Sequence, residues 1–64
     1  MQLNAKAIGT GLARSGVESA QARKIIGNIA VARFHTAEAR DKLYNEALIA
    51  YHRAGLEATT QGAH

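Results

Sequence analysis

The chain has no cysteine and no proline, and its aromatic residues are one phenylalanine and two tyrosines among 64 residues: Phe34, Tyr44 and Tyr51. Without cysteine there can be no disulfide framework, no thiolate zinc site and no thiol nucleophile, and nothing marks the redox state of the compartment. Without proline, no residue forces a helix to break. So few aromatics leave little to stack on nucleic-acid bases. No segment approaches the eighteen or so apolar residues needed to span a bilayer, and Met1 to Ser15 holds no apolar run of seven. A soluble protein with no cleaved signal is therefore expected, cytoplasmic or part of a macromolecular assembly.

What the chain does contain is alanine. Of the 47% of residues that are hydrophobic, 14 are alanine and only 13 are Leu, Ile, Val or Phe. Alanine is the best helix former and loses almost no side-chain entropy on folding, so the composition predicts much helix around a thin core. One small domain over residues 1–64 is all this length allows. Cores of this size rarely supply more than roughly 3 to 5 kcal/mol without a disulfide, a metal or a partner. The net charge of +3 would suit an anionic partner, but so small an excess specifies none.

Glycines flank an uninterrupted middle: Gly9, Gly11 and Gly16 come early, Gly55 and Gly62 late, and Gly27 stands alone. Leu3, Ala7, Ile8 and Leu12 fall at helical spacing, which predicts a short helix over about residues 2–13, weakened by Gly9 and Gly11 at up to about 1 kcal/mol each. Ser15-Gly16-Val17-Glu18 fits a capping box, with the Ser15 hydroxyl on the Glu18 amide and the Glu18 carboxylate on the Ser15 amide, so a second helix is expected to begin at Gly16. Counting about 100° per residue from Val17, Ala22, Ile25, Ile26, Ile29 and Ala32 lie between roughly 60° and 180°. Leu43, Tyr44, Ala47, Ala50, Tyr51 and Ala54 fall in the same sector. A common sector favours one long amphipathic helix over about residues 16–54, ending near Gly55, with residues 57–64 as a loose polar tail. The fold expected is thus all-α: a short helix and a long one, as a hairpin or extended, self-associating. The alternative is a three-helix bundle in which Thr36 caps a separate helix from Ala37 and the two halves cover each other.

A short first helix cannot cover so long a stripe, and an uncovered apolar face marks a protein contact. The residues expected at that interface are Ile25, Ile29, Arg33, Arg40, Leu43, Ala47, Ala50 and Ala54. Alanines on the seam let another helix approach closely. On one continuous helix Arg33 and Arg40 share a line seven residues apart on the apolar side, where they would either pair with carboxylates of another chain or lay their methylenes on the seam and keep the guanidinium in water.

Catalytic constellations are missing. His35, His52 and His64 are too far apart for a helical i, i+4 metal pair, and no Asp or Glu stands with any two of them. Ser15 and Ser19 have no obvious His and Asp partners. Gly9-Thr10-Gly11 lacks both a preceding strand and a Gly-Lys-Ser/Thr ending, so it is no phosphate loop. The expectation is a non-enzymatic helical subunit, without cofactor, metal or small-molecule substrate, that assembles with itself or with a larger protein. In form it resembles the small structural or regulatory components of phage, plasmid and secretion systems, which is an analogy of form alone. The rival from another class is a small basic DNA-binding regulator of helix-turn-helix type, turning at Ser15-Gly16 with Arg23 and Lys24 leading the second helix. It is not favoured, because the basic residues form no dense stripe. A membrane-surface helix is the third option, disfavoured by an apolar face poor in large side chains.

Overall fold

The computed structural model describes residues 4–62, with side chains placed through residue 56. Three helices follow in order: α1 (Ala5–Arg14), α2 (Ser19–Arg33) and α3 (Ala37–Gly62). Helix α3, with 26 residues, is about 39 Å long at 1.5 Å per residue and forms the spine of a molecule measuring 44 × 21 × 18 Å. Both shorter helices lie against it and have little contact with each other. Helix α2 runs antiparallel to α3, since Val17, just before it, meets Tyr51 and Phe34, just after it, meets Arg40.

The first helix keeps nearly its expected span. Asn4 caps it, its side-chain oxygen accepting from the Ala7 amide at 3.2 Å, and this satisfies one of the first-turn donors that the helix itself cannot. Leu3 and Gln2, expected to join it, lie outside the described residues. Its far end corrects the capping-box reading of Ser15 to Glu18. Ser15 is the C-cap of α1, with φ −82° and ψ −1°, and Gly16 takes φ 75°. The Gly16 amide donates to the Ala13 carbonyl at 3.1 Å and the Val17 amide to the Leu12 carbonyl at 3.1 Å. That is a Schellman closure, in which a glycine adopts the left-handed conformation that costs a Cβ-bearing residue about 1–2 kcal/mol. The same residues could not also open a helix, so α2 begins at Ser19, and Glu18 at its N-cap makes no side-chain capping bond.

The expected single helix over residues 16–54 is also not formed, and the three-helix alternative is. The chain leaves α2 at Phe34, whose φ of −125° and ψ of 143° are extended, and re-enters helix at Ala37. Thr36 starts α3, its hydroxyl accepting from the Ala39 amide at 3.2 Å. Folding back lets each half of the apolar stripe cover the other, and the half-buried Phe34 joins that contact. Hydrophobic burial, rather than a helix-breaking residue, decides the break. At the other end α3 does not stop at Gly55 but continues to Gly62, so the backbone over 57–62 is helical where a loose tail was expected.

The core is as thin as the composition implies. Its buried hydrophobic residues are Ala5, Ala22, Ile26, Ala30, Leu43 and Ala47, and Ile26 is the one large side chain fully withdrawn from water among the described residues. Complete burial of such a side chain contributes about 1.5–3 kcal/mol. Around it pack the half-buried Ile8, Leu12, Ile29, Phe34, Tyr44 and Leu48. No described helix is long and apolar enough to cross a membrane.

Candidate interaction surfaces

The expected interface residues now divide. Leu43 and Ala47 are buried in the chain's own core. Ile25, Ile29, Ala50 and Ala54 are half-buried. The alanine strip meant for a second chain is instead occupied in part by α1, which approaches so closely that a Cβ built on Gly9 would stand 2.0 Å from the Ala47 carbonyl oxygen and 2.7 Å from the Tyr51 backbone nitrogen. Only a hydrogen fits there. Ala5, Gly9 and Ala13 repeat a small residue every fourth position, the pattern that lets two helix backbones touch, and that spacing could have identified Gly9 as a contact instead of a weakness.

Arg33 and Arg40 do not share a line, because they now sit on different helices. Arg33 is exposed at the end of α2, whereas Arg40 is half-buried in α3. The Arg40 Nε donates to the Phe34 carbonyl oxygen at 2.8 Å. The carbonyl of this extended residue, just past the end of α2, has no helical partner, and the charged donor supplies one. In this chain Arg40 therefore holds the turn between α2 and α3. The opposite turn is tied by Tyr51, whose hydroxyl donates to the Val17 carbonyl, and the ring of His52 stands edge-on to Tyr51 with centroids 5.3 Å apart.

Two surface features remain. A groove of about 970 Å³ runs between α1 and α3. Ala5, Ala50 and Ala54 give it an apolar floor, Ile49 a wall, and Lys6, Arg14 and Arg53 a cationic rim against the single carboxylate of Glu46. A smaller cleft of about 280 Å³ lies beside Tyr51, His52 and Leu56.

Comparison with known proteins finds no matching family model, no matching curated protein and no matching solved structure.

The outer face of α3 carries Ile49 and Leu56, 53% and 68% exposed. Seven residues apart on one helix, they differ by about 20° in direction and form a short line toward solvent. Val31, 61% exposed, stands apart from them on α2. Among the described residues no three or more of His, Cys, Asp and Glu are gathered where they could hold a metal ion. His35 is exposed beside the α2–α3 turn. Neither the groove nor the Ile49–Leu56 line was legible before the fold, since both depend on which side of α3 the two shorter helices leave bare.

Proposed function

We propose that this chain is a non-enzymatic helical subunit that assembles with itself or with a larger protein, making contact through the outer face of α3 around Ile49 and Leu56. The observation that carries this reading is the aligned exposure of two large aliphatic side chains in a molecule with only 13 Leu, Ile, Val and Phe residues. A chain so poor in large apolar groups would gain stability by withdrawing those two into its own core. Leaving them outside is understandable if a partner covers them. The alanine-rich core argues the same way, since binding to the folded form adds stability that the isolated chain lacks.

The helix-turn-helix rival gains no support from the geometry. Its two helices would be α1 and α2, which have little contact with each other, whereas in such a motif the pair packs as one unit and presents the second helix to the groove of DNA.

Sedimentation over a wide range of concentration, on the chain and on the Ile49→Ser, Leu56→Ser double variant, tests the proposal. Mass above 6.8 kDa that rises with concentration, and falls to the monomer in the double variant with circular dichroism unchanged, is the result expected for self-assembly. A monomer at every concentration, melting cooperatively and binding no helical peptide, would overturn the proposal in both forms.

A further inference from the structure

Resting on that reading, we infer that the groove between α1 and α3 seats an acidic amphipathic helix from a different protein, its apolar side on Ile49, Ala50 and Ala54 and its carboxylates against Lys6, Arg14 and Arg53. Two properties of the groove select this occupant. The floor is alanine, so a helix can come close, and the exposed Ile49 supplies one large apolar contact at the edge. Three cations face one anion along the rim, and complementary charge there steers association and sets orientation. Groove-binding helices use anchors at i, i+3, i+4 and i+7. Such anchors belong to the incoming helix, and Ile49, Ala50 and Ala54, with Arg53 beside them, are the part of α3 they would meet.

Charge also disfavours the nearest competitors. A second copy of this chain is itself +3 and would bring net positive charge toward a positive rim, so an acidic helix from another protein is the better match. Nucleic-acid phosphates would satisfy Lys6, Arg14 and Arg53 but would leave Ile49 and the alanine floor without use, since a phosphate backbone has no apolar face to lay on them.

The experiment uses a fluorescent synthetic peptide of about sixteen residues, a little over four turns, with leucine at i, i+3, i+4 and i+7 and glutamate flanking that stripe. A control peptide has the same composition in an order that destroys the stripe. Binding is read by anisotropy, and the fold of each variant by circular dichroism. The amphipathic peptide should bind and the shuffled one should not. Lys6→Glu and Arg53→Glu should each weaken binding about tenfold or more, the equivalent of about 1.4 kcal/mol. Arg23→Glu, which alters an exposed α2 cation outside the groove by the same charge, should leave it unchanged. Equal loss in Arg23→Glu, equal binding of the shuffled peptide, or no binding would each overturn the inference. So would displacement of the peptide by random-sequence duplex DNA at physiological salt, which would make nucleic acid the occupant. Concentration-dependent self-association that Ile49→Ser with Leu56→Ser abolishes, in a chain that binds no peptide, would defeat this inference and leave the assembly reading standing. A chain that neither associates nor binds the peptide defeats both.

Discussion

Helix α3 holds its two neighbours by opposite means. Against α1 it offers Ala47 and Ala50, and at Gly9 the two backbones meet at close range, with Ile8 and Leu12 of α1 packed against the core nearby. Against α2 it offers Leu43 and Tyr44, and α2 answers with Ile26, Ile29 and Ala30, so side chains fill the space. A seam filled by side chains is sensitive to lost volume, because the hole left behind collapses only in part. A seam made of backbones is sensitive to added volume, because there is no flexible side chain to move aside. One helix thus carries two kinds of packing, and each has its own characteristic failure.

The largest effect should come from Ile26→Ala, which removes the one large fully buried side chain described. A loss of about 2–5 kcal/mol is expected, near the whole stability of a domain this small, and urea denaturation with a circular dichroism readout would measure it. A change under about 1 kcal/mol would mean that the α2 seam is not what holds the hairpin closed. Next is Gly9→Ala, a single added methyl. It should cost roughly 2–3 kcal/mol through forced separation of α1 and α3, even though alanine improves helix propensity. Should Gly9→Ala leave the midpoint unmoved, the two backbones are not in contact and the contrast between seams disappears.

Smaller changes sharpen the comparison. Thr36→Ala removes the hydroxyl that accepts from the Ala39 amide and should lower stability by about 1 kcal/mol, as loss of an N-cap usually does. The smallest effect has the opposite sign. A Cβ on Gly27 would meet the Tyr44 ring at 4.0 Å, an ordinary contact, with nothing nearer. Gly27→Ala on the α2 seam should therefore stabilise by about 0.5–1 kcal/mol. The same substitution at Gly9 and at Gly27, with opposite outcomes in thermal melts, is the most direct test of the difference. Loss of stability at both would show that the α2 seam, too, is set by backbone approach.

These contrasts also explain what could be read in advance. Helix content followed from alanine and the absence of proline, because propensity is local. The start of α3 was legible in Thr36 as a capping residue for the three-helix alternative. What misled was phase: Val17 to Ala32 and Leu43 to Ala54 share one sector, but two helices that bury each other also each need an apolar face, so the coincidence could not distinguish them. Ser15-Gly16 carried two local signals at once, and the orphan carbonyls of α1 claimed both residues. Arg33 and Arg40 were read together on the assumption of one helix, and the break at Phe34 removed their common line. The Lys6, Arg14 and Arg53 rim draws residues from two helices about forty positions apart in sequence, and no periodicity within one segment reports such a meeting.

The close fit at Gly9 has a consequence in time. Helices α2 and α3 are joined by three residues, so their contacts are local and can form early. Residues near Gly9 must find Ala47 to Tyr51 across some forty positions of chain, and closing so long a loop comes late. The seam with no tolerance for a methyl group is then expected to close last. Contacts made after the transition state leave the folding rate alone and act on unfolding. In stopped-flow measurements Gly9→Ala should accelerate unfolding while refolding keeps its pace.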